Sequence, residues 1–256
     1  MNHISFTHQG KFHAFAGPSK WNEVTAGQLL AWLNVLYAND DEEAKLAKAV
    51  PVFYGIGSKL YKAIRPYQRL QIAPTLRGLF SENKLDVWLM PSFRLRFKKY
   101  YGPADKLSNL TADEFFNYCE PLYWQYKATN DEAKLNALCA VLYRPKRKGA
   151  VNDDIREPIT EAGIAKRARL FKKLPLGYKL AIYFNYTGCR NFVTGMHAKA
   201  FDKGSGESKK RGDVTLSVAG GPLGNHTETK KTNLYTFLLH LVNLIEQEDE
   251  LKRKMK

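Results

Sequence analysis

The sequence has little of what marks a membrane protein, a disulfide-built secreted protein or a metalloenzyme. No uninterrupted apolar run approaches the ~20 residues that span a bilayer, so no membrane partner is expected. The opening stretch, "MNHISFTHQG", has no basic patch followed by an apolar core, and no signal peptide is read there. Cysteine is scarce. Cys119, Cys139 and Cys189 have no CxxC spacing, and an odd number cannot pair completely within one chain. Cys119 and Cys139 fall on apolar stripes, where a thiol behaves as a small hydrophobe, so reduced core cysteines are expected. Without a secretory leader the three Asn-x-Thr sequons at Asn109, Asn185 and Asn225 carry no weight.

Catalytic and cofactor motifs are lacking too. Gly55-Ile-Gly57-Ser58-Lys59 has no Gly-Lys-Ser/Thr ending and follows an expected helix, whereas a phosphate-binding loop follows a strand. His3, His8 and His13 are regularly spaced in a strand-like stretch, but no cysteine or acidic ligand accompanies them. His197 and His226 fall in loops and His240 in an apolar helix, none beside a nucleophile or carboxylate by motif. Asp40-Asp41 and Asp153-Asp154 read as turn acids. The expectation is a protein that is not an enzyme and has no cofactor and no metal.

Negative charge is the remaining deficit: 25 Asp and Glu stand against 40 Lys and Arg, for a net charge of +15. Such a field suits nucleic acid, membrane surfaces or acidic proteins as partners. Its distribution is uneven. Residues 1–54 carry four cations and five acids, 55–99 ten and two, 100–143 three and six, and 144–256 twenty-three and twelve.

What the chain does contain is a repeated sentence. Lys11, Phe12, Phe15, Gly17 and Pro18 align with Arg96, Phe97, Tyr100, Gly102 and Pro103. Thr25, Gln28, Leu29, Trp32, Leu33, Leu36 and Tyr37 then align with Thr111, Glu114, Phe115, Tyr118, Cys119, Leu122 and Tyr123. Glu43-Ala-Lys-Leu46 matches Glu132-Ala-Lys-Leu135, and Val52-Phe-Tyr54 matches Val141-Leu-Tyr143. Thr25-Ala-Gly-Gln28 and Thr111-Ala-Asp-Glu114 both read as capping boxes. The apolar positions that follow sit at i, i+3, i+4, i+7 and i+8, one helical face in each copy. Each copy therefore reads as a short extended lead-in, a Gly-Pro turn and a helical hairpin, duplicated within the chain. Pro121, which replaces Val35, should kink or break the second copy's first helix.

The fold expectation is mainly α: duplicated helical hairpins with extended lead-ins and a long C-terminal amphipathic helix. The first copy and its basic follow-on occupy 1–95, and the second copy, a basic insert and the C-terminal helix occupy 96–256. The alternative is that they are the halves of one compact pseudo-symmetric domain. Thr232 or Asn233 caps the last helix, and Leu234, Phe237, Leu238, Leu241, Leu244 and Ile245 form its stripe, a face for a partner helix. Glu248–Lys252, Asp249–Arg253 and Glu250–Lys254 support an exposed end that either docks on another subunit, a second copy of the chain included, or frays in solvent.

Positive charge interleaved with aromatics recurs in "YKAIRPYQRL", "FRLRFKKYY" and "RARLFKKLPLGYK". Cations on phosphates and rings for stacking give one reading, a solvated cationic face over buried rings the other. The residues singled out for DNA, RNA or an acidic partner are Arg94, Arg96, Lys98, Lys99, Arg144, Lys146, Arg147, Lys148, Lys209, Lys210 and Arg211. The last three lie in a Gly/Ser/Lys-rich loop, "KAFDKGSGESKKRGD", read as mobile. No helix-turn-helix, zinc-finger or RNP motif is present.

The second copy, "FKKYYGP" through "LTADEF" to "DEAKLNALCAVLYRP", resembles tailed-phage and prophage morphogenesis proteins. The closing "GGPLG" and "TNLYTFLLHL" are similar to the ends of phage tail-assembly proteins. The resemblance implies a structural or assembly role among phage proteins, in the host bacterial cytoplasm or in the virion, with no cofactor and no catalytic residues. The basic charge and the missing Tyr-Arg-Pro ending in the first copy depart from that pattern.

Overall fold

A computed structural model describes residues 1–38, 40–149, 154–201 and 214–255. Among these the chain is mainly helical, with two small antiparallel sheets of two strands each. The elements run β1 (Asn2–His8), β2 (Lys11–Gly17), α1 (Ala26–Leu36) and α2 (Glu42–Tyr54), then short helices to Phe80. Next come β3 (Ser92–Leu95) and β4 (Lys98–Tyr101). Helix α3 starts with a π-helical stretch, Glu114–Cys119, and continues as α-helix over Glu120–Thr129. Helices α4 (Glu132–Leu142), α5 (Glu161–Phe171), α6 (Leu176–Met196) and α7 (Leu234–Lys254) follow. No helix among the described residues is long and apolar enough to cross a membrane. The chain divides into two compact units, Met1–Leu89 with Pro175–Gly188, and Met90–Leu174 with Cys189–Lys256.

In the first unit, β1 and β2 join through Gln9-Gly10, both at positive φ (49° and 74°), as a tight two-residue hairpin loop requires. Gly17 ends β2 where a Cβ would stand 2.7 Å from the Tyr54 ring, so glycine lets that ring lie on the backbone. Thr25 caps α1 with a complete capping box through Gln28, and Asp41 caps α2 by accepting from the Ala44 N–H. The α1 stripe (Leu29, Trp32, Leu33) and the α2 stripe (Ala49, Val50, Phe53) are buried. Trp32 and Phe53 pack with Phe80 at centroid distances of 4.8 to 6.3 Å. The extended segment after Phe80 is tied to α6. Asn185 donates to Val87 O and accepts from Leu89 N, both at 2.8 Å, and Asn83 donates to Phe184 O at 2.7 Å. Asn185 is thus consumed by backbone, and its sequon is buried.

In the second unit, Phe93 and Tyr100 face each other across β3 and β4 and pack on Tyr143 and Phe171. Helix α3 changes from π-helix to α-helix at Glu120, one residue before Pro121, and does not break there. Its backbone stays helical through Cys119 and Glu120, and the Glu120 N–H reaches back five residues to Phe115 O. This wide turn passes into α-helix at Glu120, so the widened hydrogen-bond pattern falls next to Pro121, which has no N–H to donate. Asn233 caps α7, accepting from Tyr235 N, while its amide donates to Ser108 O. Leu234, Phe237 and Leu238 are buried there.

Candidate nucleic-acid interface

The β3–β4 hairpin turns on two residues, Arg96 and Phe97. Arg96 sits at φ 53°, a left-handed position that normally goes to glycine or asparagine. Strand alternation then sorts the cations. Arg94 and Lys99 are direct cross-strand partners on one face, a like-charge pair that is unfavourable without an anion. Leu95 and Lys98 pair on the other face, the one carrying Phe93 and Tyr100. Phe97, at the tip, is fully exposed.

The Lys98 face forms one wall of a groove of about 650 Å³, and α5 forms the other. Thr160 starts α5 by accepting from the Gly163 N–H. Lys166 and Arg169, three residues apart, share the helix side that lines the groove, and Lys173 extends it just past the helix end. Arg167 lines it too, although only 7% of that residue is exposed. Its Nε donates to Ala140 O at 2.8 Å, while Nη2 is buried with no hydrogen-bond partner. Burial lowers the Arg167 pKa, the nearby Arg144 charge adds to this, and Glu157 and Tyr100 oppose it. The Tyr100 hydroxyl is raised by burial and lowered by Arg167. Among the described residues, six cationic side chains line the groove, Arg96 and Lys98 with Lys166, Arg167, Arg169 and Lys173, against the single carboxylate of Glu157.

Behind the groove lies a buried ion cluster. Arg144 Nη1 meets Glu114 Oε1 at 2.8 Å, and Nη2 meets Asp154 Oδ2 at 3.3 Å. Arg156 reaches Asp154 at 2.8 Å and Glu114 at 3.5 Å, and donates to Leu142 O. Arg144 also donates to Glu157 O. Burial is the main cause that lowers the Arg144 pKa, then Arg156, while Glu114 and Asp154 raise it. A second buried carboxylate, Glu120, takes Arg190 in a two-bond pair at 2.7 and 2.9 Å.

The sequence candidates separate accordingly. Arg94, Arg96, Lys98 and Lys99 are exposed on the hairpin. Lys146, Arg147 and Lys148 are exposed on the strand-like segment that follows Pro145, a groove residue, and pairs back on Ile155–Glu157. Arg144 must be withdrawn: it is 1% exposed and held by internal carboxylates, so it is not available to a partner. Lys209, Lys210 and Arg211, with the Arg211-Gly-Asp213 triplet and Asp153, lie outside the described residues. On α7 the expected partner face is largely internal. Leu234, Phe237 and Leu238 are core, Leu241 and Ile245 half-buried, and only Leu244 exposed. The capping box read at Thr111 is half made: Thr111 accepts from the Glu114 N–H, but the Glu114 carboxylate goes to the arginines.

Lys166, Arg167, Arg169 and Lys173 were not singled out as contacts by sequence, although three of them lie in a segment whose charge was noted. Their signal was the helical spacing of 166, 169 and 173 on one side of a helix announced by Thr160. His13, one of the three regular histidines, stacks with both Phe6 and Phe15. No group of three metal-ligating side chains occurs among the described residues. No protein-family model matches the chain, and neither does any curated protein or solved structure.

Proposed function

We propose that this chain is a non-enzymatic nucleic-acid-binding protein whose contact surface is the groove between the β3–β4 hairpin and α5. One observation carries the reading: six cations and one carboxylate around a single groove, with an exposed aromatic at its rim. Phosphates are the ligand that such a field collects, and lost counterions supply the binding free energy. The test is an anisotropy titration of a labelled oligonucleotide. Reversing Lys166 and Lys173 to glutamate lowers affinity at least about tenfold, as expected for the loss of two phosphate contacts. Reversing Lys45 and Lys48, which pair with Glu42 and Asp40, leaves it within about twofold. Equal effects of the two reversals would remove the groove from the account.

A second reading is a phage assembly or virion-associated protein acting through protein contacts. Its support is the resemblance of the second copy, together with Leu239, Leu244 and Leu251, exposed apolar positions on α7. Mass spectrometry of purified particles and immature assemblies tests it, and absence from both would end it.

We also read the two halves as an internal duplication. In each, a β-hairpin, a short 3-10 turn, a threonine-started helix and an aspartate-capped helix follow in the same order. Each second helix leads to a buried tyrosine, Tyr54 or Tyr143. The copies also change together: Gln28 with Gly55 in one, Glu114 with Arg144 in the other.

A further inference from the structure

We infer that the groove's ligand is a single strand of nucleic acid, with one unpaired base stacked on Phe97 and the flanking phosphates on the groove cations. The inference rests on the nucleic-acid reading above and narrows it.

Phe97 occupies a position where hairpin chemistry calls for small polar residues, and its whole ring is in water. The arm that holds it is anchored. Phe93 and Tyr100 pack against Tyr143 and Phe171 at centroid distances of 4.8 to 5.4 Å, so the tip projects from a packed base. Arg96 in its left-handed conformation sets the turn that presents the ring. An exposed aromatic beside a cationic channel is the combination that single-strand binding uses, because every base offers a π-face while phosphates track the cations.

A duplex cannot use this arrangement. Its base faces are covered by stacking, so it would meet the cations and leave Phe97 idle. The groove volume, about 650 Å³, lies within the range that encloses small ligands, which suits a short run of one strand. An anionic membrane also attracts cations beside an exposed aromatic. However, a planar surface does not enter a groove, and Lys166, Arg169 and Lys173 line this one. Arg167 adds the discriminating group. It is more than nine-tenths buried and lines the groove, and its Nη2 has no hydrogen-bond partner within the protein.

The experiment compares a labelled oligothymidylate, a duplex of equal length and vesicles of phosphatidylserine with phosphatidylcholine, using the full chain and its F97A and F97W variants. Phe97 supports no core, so F97A folds, and circular dichroism verifies it. The inference predicts tighter binding of the single strand than of the duplex. F97A weakens single-strand binding about tenfold, the effect of losing one stacked base. It leaves duplex binding unchanged, and F97W restores the strand and shows indole quenching on binding. Equal affinity for strand and duplex with no effect of F97A overturns the single-strand inference but keeps the nucleic-acid reading. Binding of neither oligonucleotide overturns both, and if F97A then abolishes vesicle binding, the surface is a membrane contact.

Discussion

Arg144 Nη1 donates to Glu114 Oε1 at 2.8 Å, inside the protein, with 1% and 10% of the two side chains exposed. This pair joins the first turns of α3 to the residue that follows Tyr143, and Asp154 and Arg156 close the cluster. A buried pair adds little over an apolar isostere, but breaking one strands a charge. E114Q leaves Arg144 and Arg156 with Asp154 as their only cluster carboxylate and should cost about 3–5 kcal/mol in urea unfolding. The double variant E114Q/R144M should cost less than the sum of the single changes, because the stranded guanidinium is gone. A cost below about 1 kcal/mol for E114Q would place the pair among weak surface contacts.

Cys119, Cys139 and Cys189 are buried thiols outside any disulfide. Burial drives the Cys119 thiol well above its ordinary pKa, and the charges of Glu114 and Glu120 push it further. Since the thiolate is the reactive form, native protein at neutral pH should not react with a thiol-specific disulfide reagent. All three should react once the chain is unfolded. Rapid labelling of the native protein would contradict the burial of these side chains.

Glu23 accepts hydrogen bonds from the Ser19 backbone N–H at 2.8 Å and the Ser19 hydroxyl at 3.0 Å. The backbone bond is the main cause that lowers its pKa from 4.5 to about 2. A lowered carboxyl pKa contributes stability that is present above the unfolded value and lost as the pH falls through the folded one. Glu23 should therefore titrate near pH 2 by carboxyl-detected NMR, and E23Q should flatten the stability loss between pH 4.5 and 2. A midpoint near 4.5 would mean that the Ser19 bonds do not form in solution.

Two glycines of α6 should behave in opposite ways. A Cβ on Gly188 would lie 2.3 Å from Leu85 O and 2.6 Å from Asn83 Oδ1, so G188A forces backbone apart and should destabilise by at least about 1–3 kcal/mol. Gly195 has nothing within 4 Å of such a Cβ, and G195A should gain up to about 1 kcal/mol of helix propensity. Thermal unfolding of both variants checks this, and similar melting temperatures would refute the close approach of α6 to the 83–85 segment.

Local chemistry was readable in advance where its partners are near in sequence. The Thr25 box, the helical spacing of Leu29, Trp32 and Leu33, and the Asn233 cap all act within a turn or two, and the structure contains them. Glu114 was misread because its partners, Arg144 and Arg156, lie 30 and 42 residues away and compete with the local cap. A longer separation, 96 and 98 residues, hid Asn185, whose amide binds the backbone of Leu89 and Val87. Of the residues lining the groove, Arg96 and Lys98 on the hairpin were among the cations singled out in the sequence. The α5 wall was not, because charge counted along the chain does not say which residues share a groove. Arg144 and Arg167 make the point: they read as basic surface, yet one is sealed in the cluster and the other lines the groove nearly buried.

The central claim is that the groove binds nucleic acid through phosphates, and the salt dependence of oligothymidylate affinity tests it most directly. Each phosphate neutralised contributes a slope of about −0.7 to log K against log salt for a single strand. Engagement of about four groove cations therefore predicts a slope near −3, which K166E/K173E should reduce together with the affinity. A flat response, or a steep one that the groove variant leaves unchanged, would contradict the account.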